Sequence, residues 1–275
     1  MKSSKMKVSD MTIVLTGASG GIGRAAAVEL SQQGARILAV GRNRESLQAL
    51  ISELSGSQHH YFCMDISDAG QRRQLAQQLT ALSVPPNILI NMAGFGECVL
   101  LEEQTPESIE KIININVTST ILLTQALLPL LKRQPAAMII NVGSILGSLG
   151  YPGQTVYCAS KFALRGFSEA LQRELADTSV SIKYFAPRAT KTTFNSRQVN
   201  ALNQRLGNAI DPPEQVAKAL VKLITGRRQR YFVGLPERLF IVLNQLFPGV
   251  VNRALKKQLP IIKSFATANV GGKSQ

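Results

Sequence analysis

The chain has 275 residues, 45% of them hydrophobic, with a formal net charge of +14 and three cysteines. That length and apolar content suit one α/β domain with a short appendage, and they exclude a small disulfide-built scaffold, whose cysteines would be dense and even in number. Five tyrosines, ten phenylalanines and no tryptophan offer no evident platform for stacking bases, so no nucleic-acid partner is expected despite the charge.

The N-terminal segment, Met1 to Lys7, is basic, but no apolar stretch long enough for a signal peptide follows it. Met11-Thr12-Ile13-Val14-Leu15 is an apolar, β-branched run of strand length. It leads into Thr16-Gly17-Ala18-Ser19-Gly20-Gly21-Ile22-Gly23 and then a helical pattern through Ala25, Ala26, Val28 and Leu30, with stop signals at Gln33-Gly34. Strand, glycine-rich turn and helix start is the setting of a dinucleotide-binding loop. Glycines let the backbone approach a pyrophosphate, and the helix N-terminus offers free N–H groups and a positive dipole end.

A second predicted strand, Arg36 to Val40, ends in Gly41-Arg42-Asn43-Arg44. A site for NAD usually places an acid at this strand end to bind the ribose 2′-hydroxyl. Here glycine and then arginine stand there, and a guanidinium suits a 2′-phosphate, so NADPH is expected over NADH. His59-His60, the only histidines, precede the third strand, Tyr61 to Met64; they are read as a turn, and without further ligands at metal spacing no metal site is expected. Thr105-Pro106-Glu107 opens a long helical segment to Arg133, with a capping threonine and a proline in the first turn.

Met138 to Gly143 reads as a strand that ends at Ser144, thirteen positions before Tyr157-Cys158-Ala159-Ser160-Lys161. Tyrosine and lysine four apart share a helix face. An ammonium beside a phenol favours the phenolate, so Lys161 is expected to lower the Tyr157 pKa and ready it for proton transfer with a carbonyl or alcohol oxygen. The Ser144 hydroxyl could bond the same oxygen. Cys63, Cys98 and Cys158 are scattered, which fits a reducing cytosol, and Cys158 is read as a buried structural thiol. Asp211-Pro212-Pro213-Glu214 opens a helix to Thr225 in the same manner as Thr105, with an acid three residues after the cap.

Residues 226–275 hold nine Lys or Arg and one acid, Glu237. Leu239, Val242, Leu243, Leu246 and Phe247 recur at helical spacing; Pro248-Gly249 breaks that pattern, and Val250, Val251, Ala254 and Leu255 begin a second helix that Pro260 is expected to close. Two amphipathic helices with basic flanks fit either a lid or subunit contact, or peripheral contact with a membrane surface. No run approaches the length of apolar chain that spans a bilayer.

Together these pieces resemble the short-chain dehydrogenase/reductase family, in its compact single-domain branch, over roughly residues 10–225. The resemblance implies an α/β fold with a doubly wound, Rossmann-like parallel sheet, helices on both faces and a C-terminal helical appendage. It divides the chain into a basic tail (1–10), a dinucleotide-binding catalytic domain (11–235) and a basic helical extension (236–275). Asp65 matches the family's acid that contacts adenine, and Asn91-Met92-Ala93-Gly94 its N-x-A-G motif, which stabilises the central sheet and lines the cofactor. Asn116, Ser144, Tyr157 and Lys161 match the catalytic set, with Asn116 supporting a proton relay through water. Thr192 falls where the family's threonine meets the nicotinamide carboxamide. Implied cofactor contacts are Thr16, Gly17, Ser19, Gly20, Gly21, Ile22, Gly23, Arg42, Asn43, Asp65, Asn91, Ala93, Gly94, Tyr157, Lys161, Pro187, Thr190 and Thr192.

One departure stands out. The family's Pro-Gly reads Pro187-Arg188 here, which places a cation by the nicotinamide end, either on an anionic group or in solvent. Arg188 to Ile210 corresponds to the family's substrate loop, and Ile145 to Pro152 is apolar. The expected activity is NADPH-dependent interconversion of a carbonyl and an alcohol on a lipophilic molecule. Alternatives are reduction of a 3-oxoacyl thioester on an acidic carrier, and a non-catalytic NADPH sensor or scaffold. A homodimer or homotetramer in the cytoplasm, touching membrane surfaces if at all through 236–275, completes the expectation.

Overall fold

In the structure, a computed structural model that describes residues 6–266, the apolar β-branched runs become seven strands of one parallel sheet. They are β1 (Thr12–Thr16), β2 (Arg36–Gly41), β3 (His60–Cys63), β4 (Ile88–Asn91), β5 (Ala137–Val142), β6 (Val180–Ala186) and β7 (Arg230–Phe232), in the order β3-β2-β1-β4-β5-β6-β7. Between them run α1 (Gly21–Gln32), α2 (Arg44–Glu53), α3 (Ala69–Thr80), α4 (Pro106–Ile113), α5 (Ser119–Lys132), α6 (Thr155–Glu174), α7 (Arg197–Arg205) and α8 (Pro213–Thr225). The chain ends in α9 (Leu235–Leu246) and α10 (Pro248–Ala266). The tail residues before Met6, and residues 267–275 with Lys273, lie outside the described residues.

Alternation along each strand divides the core. Ile13, Leu15, Ile37, Ile88 and Ile140 pack beneath α1, α2 and α8, while Val14, Leu38, Leu89 and Ile139 pack beneath α3, α5 and α6. A strand covered on both faces must be apolar at nearly every position, which is why these segments read as continuous apolar runs. The strand order reverses direction between β1 and β4, so a crevice opens at their C-terminal ends.

Thr105 caps α4 as expected, its hydroxyl accepting from the Ser108 N–H at 3.2 Å with Pro106 next in line. Between α4 and α5 the helix widens into a π turn over Asn114–Thr118, which carries Asn116 inward. The unbroken segment Pro106–Lys132 is long and apolar enough, by length and composition alone, to cross a membrane. This corrects the expectation that no run approaches a bilayer span: polar residues interrupt the letters but not the average. Its Leu123, Leu127 and Leu131 are buried against the sheet.

Two helix signals resolve differently from expectation. Asp211 does not cap α8; Pro212 stands at the cap with no side-chain bond, because the Asp211 carboxylate is engaged by Arg188. Pro260 does not close α10, which runs on to Ala266. The lost N–H bond is offset by burial of Ile262 and Ala266 against Cys98 and Leu202.

Lys183 on β6 is 6% exposed, and its ammonium donates to the Leu223, Ile224 and Gly226 carbonyls at 2.6, 3.1 and 2.7 Å. These are the orphan acceptors of the α8 C-terminus, where a cation is also favoured by the helix dipole. Lys183→Met should leave three carbonyls short of partners and cost about 2–4 kcal/mol, a fall in Tm of roughly 5–10 °C by calorimetry. An unchanged Tm would mean water replaces the ammonium without loss.

Candidate active site

The glycine turn follows β1. Gly17 takes φ +67°, and a Cβ there would stand 3.0 Å from the Ala93 backbone, so the loop at β1 and the loop after β4 touch through a residue without a side chain. The Thr16 hydroxyl joins the same two loops: it accepts from the Met92 and Ala93 N–H groups at 3.0 and 3.1 Å and donates to the Ile90 carbonyl. Helix α1 begins at Gly21 with Gly20 as its cap and no side-chain cap bond, which leaves first-turn N–H groups facing the crevice. A Cβ on Gly23 would run into the Gly17 carbonyl, and one on Gly21 would run into the Thr192 side chain. Thr192 therefore lies directly over the glycine turn. The uncapped helix start and this backbone cradle fit a dinucleotide pyrophosphate.

At the end of β2 the Ser19 hydroxyl lies 3.4 Å from where a Gly41 Cβ would stand, and Arg42 follows, exposed, with no acid at the strand end. Asn43 caps α2, its side chain accepting from the Ser46 N–H at 2.7 Å. Asp65 accepts from the Ser67 N–H and hydroxyl at 2.8 and 2.7 Å. Burial works upward on its carboxyl, but those bonds and the charges of Arg42 and Arg72 outweigh it and hold the pKa below the ordinary value. Asn91 is 3% exposed and donates to Thr124 and Asn141; Asn141 in turn donates to Ser168 on α6. Among the described residues the Asn91 Oδ1 has no hydrogen-bond partner.

Strand β5 delivers Ser144 and α6 delivers Tyr157 and Lys161 to one wall. Ser144 is 8% exposed and its Oγ accepts from the Leu146 N–H at 3.1 Å. Lys161 is 4% exposed; its ammonium donates to the Val142 carbonyl at 3.1 Å and lies 5.6 Å from the Tyr157 ring centre. Gly96 admits the Tyr157 ring, since a Cβ there would come within 2.6 Å of it. The expected lowering of the Tyr157 pKa is not realised in the resting chain. Burial decides the sign and pushes the phenol well above its ordinary value, while a Ser144 hydrogen bond works against it. Lys161 is itself pulled down to about 8 by burial.

Asn116 is fully buried. Its oxygen accepts from the Phe95 N–H at 2.8 Å, and its nitrogen donates to the Phe95 carbonyl and the Ser160 hydroxyl. These bonds hold the Gly94–Phe95 loop beside Lys161. Cys158 is a buried thiol 3.7 Å from the Leu149 carbonyl, pushed to about 11 by burial.

Three features escaped the sequence. Tyr184 on β6 fills the space a side chain would need at Gly143 and Gly147, and its hydroxyl donates to the Ser144 carbonyl at 3.4 Å; nothing in the spacing of the sequence pointed to it. Phe194, set in a polar stretch, places its ring 6.0 Å from that of Tyr157. Arg188 turns away from solvent onto two carboxylates of the chain itself. It grips Asp211 through two bonds of 2.8 and 2.7 Å and Glu237 of α9 at 3.0 Å.

These walls enclose a cavity of about 840 Å³. Glycine turn, Ser144, Tyr157, Lys161, Pro187, Thr190 and Thr192 line one part of it. Ile145, Leu146, Leu149 and Phe194 line the rest, and Phe240 and Ile241 of α9 with Leu255 of α10 cover it. The C-terminal helices thus form a wall of the cavity.

The sequence pattern described as short chain dehydrogenase matches residues 11–203. The chain is 27% identical over 225 residues to the 3-oxoacyl-(acyl-carrier-protein) reductase FabG of Thermotoga maritima, covering 79% of this chain and 92% of that protein. It is 32% identical over 222 residues to the 3-ketodihydrosphingosine reductase of Mus musculus, covering 76% of this chain and 67% of that protein. Two solved structures superpose with TM-scores of 0.78 at 22% identity. One is a short chain dehydrogenase from Burkholderia cenocepacia in complex with NADP, covering 91% of this chain and 99% of that one. The other is a short chain dehydrogenase/reductase from Burkholderia phymatum in complex with NAD, covering 87% and 94%.

Proposed function

This chain belongs to the short-chain dehydrogenase/reductase family and is an oxidoreductase served by a nicotinamide dinucleotide; on that premise we propose that it reduces the carbonyl of a lipophilic substrate with NADPH, or runs the reverse oxidation. The observation that carries the reading is the convergence of Ser144, Tyr157 and Lys161 on an apolar cavity beside the glycine turn. When bound, the nicotinamide supplies or takes the hydride.

The chain's own residues do the rest. The Tyr157 hydroxyl, kept protonated by burial, donates its proton to the oxygen that gains charge as the carbonyl is reduced. Ser144 donates a hydrogen bond to the same oxygen. The Lys161 ammonium stabilises the phenolate left behind, and Asn116 positions the loop that faces it. Gly17, Gly20, Gly21, Ile22 and Gly23 present backbone to the pyrophosphate. Asp65 would hold the adenine half, and Ala93, Gly94, Thr190 and Thr192 would line the nicotinamide half, with Asn91 bracing the sheet beneath them through Thr124 and Asn141. Arg42, following β2 with no acid at the strand end, would select the 2′-phosphate.

A second reading, reduction of a 3-oxoacyl thioester, is favoured by the net charge of +14, which would draw an acidic carrier. The two relatives, a 3-oxoacyl-(acyl-carrier-protein) reductase and a 3-ketodihydrosphingosine reductase, share a 3-keto group as the named target. The deciding experiment follows NADPH oxidation against short ketones, long-chain aldehydes, polycyclic ketones and 3-oxoacyl thioesters. Turnover rising with chain length or ring size supports the first reading, and turnover on thioesters alone supports the second. No turnover with tight NADPH binding would sink both. In the same assay Arg42→Ala should weaken NADPH about ten- to a hundredfold while sparing NADH; equal weakening would remove the 2′-phosphate argument.

A further inference from the structure

We infer that the outer face of α9, with the adjoining face of α10, docks this chain onto an anionic phospholipid surface. Leu235, Leu239, Val242 and Leu246 recur at the spacing of a single helix face, and they are 75, 71, 49 and 66% exposed. Phe247 and Val250, 59 and 52% exposed, carry the apolar stripe across the break between the two helices. This stripe is not the core-facing side of α9. Phe240 and Ile241 occupy that side and line the cavity. Six large apolar side chains in one exposed row are more than a chain without a partner for them normally shows.

Charge selects the partner. Residues 227–266 hold eight Lys or Arg and one acid, Glu237, and that acid is turned inward and paired with Arg188. Arg238 is exposed on α9 beside the stripe. On α10, Val250, Arg253 and Lys257 are exposed and share one face, with Lys256 next to them. An apolar helix face flanked by lysine and arginine settles into the headgroup plane. Its leucines enter the acyl boundary and its cations meet phosphate and carboxylate headgroups. A second copy of this chain fits the same face less well, because it would bring its own cationic rim against this one. A bilayer without anionic lipid would satisfy the leucines and leave the charges unused.

The test is co-sedimentation of the full chain with vesicles of phosphatidylcholine alone, and of phosphatidylcholine with an equal part of phosphatidylserine, at low and high salt. The chain should sediment with the anionic vesicles, remain in the supernatant with the neutral ones, and be released by salt. Leu239→Glu combined with Leu246→Glu should release it without moving its thermal midpoint. Replacing Arg253, Lys256 and Lys257 by glutamine should lower the partition about fivefold for each charge removed. The inference is overturned if the chain ignores both vesicles, binds the neutral ones equally, or stays bound with the acidic pair in place. A mass in solution that halves in the Leu239→Glu, Leu246→Glu chain assigns the face to a second copy and overturns it as well. No carbonyl substrate enters the assay, so its outcome is separate from that of the reductase reading.

Discussion

Tyr157→Phe is expected to bind NADPH as the parent chain does and to lose turnover by about a hundredfold to ten-thousandfold, the usual contribution of a positioned acid or base. The ring itself has a packing task. It fills the space beside Gly96 and faces Phe194 at 6.0 Å. Phenylalanine preserves both contacts, so the loss reads the hydroxyl alone. Ser144 cannot take over, because an ordinary serine hydroxyl does not give up a proton near neutral pH. The phenol can, because Lys161 lies at the same wall and the negative charge that forms on it is buried next to an ammonium. Fluorescence titration with NADPH, together with steady-state turnover on the best carbonyl of the panel, checks the prediction. Near-normal turnover would remove Tyr157 as the proton donor, and a lost affinity with intact turnover would make it a binding residue only.

The direction of the burial effect adds a pH dependence. A phenol pushed up by desolvation stays protonated throughout the neutral range, so the resting chain is set to donate. Reduction should therefore hold steady below the Lys161 pKa of about 8 and decline above it, as the ammonium that stabilises the phenolate is lost. Alcohol oxidation, which needs the phenolate as base, should rise as pH increases.

What could be read from the letters was whatever repeats with the geometry of an element. Continuous runs such as Met138 to Val142 announce strands covered on both faces, and Thr16 to Gly23 announces a turn where side chains do not fit. Tyr157 and Lys161 share a wall because four residues make one helical turn. The rest depended on distance in space. Nothing near Arg188 in the sequence shows that Asp211 and Glu237, 23 and 49 residues away, close around it. That ion-paired group explains both misread signals at once: it takes Asp211 away from the α8 cap, and it turns Arg188 from a ligand contact into a tie between the cavity floor and α9. The reversed expectation for Tyr157 has a similar origin. Sequence spacing placed a cation near the phenol, but the depth of burial, which decides the sign, belongs to the packed molecule.

Lys161→Met should abolish activity and make the chain more stable at neutral pH, the opposite of Lys183→Met. Both lysines are buried and both are pulled down to about 8 by desolvation. They differ in what their ammonium groups bond. Lys183 closes three carbonyls at the end of α8, which would otherwise lack partners. Among the described residues Lys161 makes one hydrogen bond, to Val142, and otherwise keeps a charge in a poorly solvated wall for the sake of the reaction. A pKa lowered from 10.5 to about 8 corresponds to on the order of 3 kcal/mol of unfavourable charge burial. The lost bond to Val142 offsets about 1 kcal/mol of the relief. The sign with pH follows from proton counting. Below about 8 the lysine is protonated in both folded and unfolded chains, and the penalty is complete; between about 8 and 10.5 only the unfolded chain holds the proton, so parent stability climbs with pH; above 10.5 the difference vanishes. The gain in Tm of Lys161→Met over the parent should therefore be about 5 °C near pH 7 and should shrink steadily as the pH passes from 8 to 10.5. Calorimetry of the two chains across that range isolates the effect, since Lys183 and every other titrating group is common to both. A Tm that falls at neutral pH would mean the ammonium at this wall stabilises the fold, and that its place beside Tyr157 is structural before it is chemical.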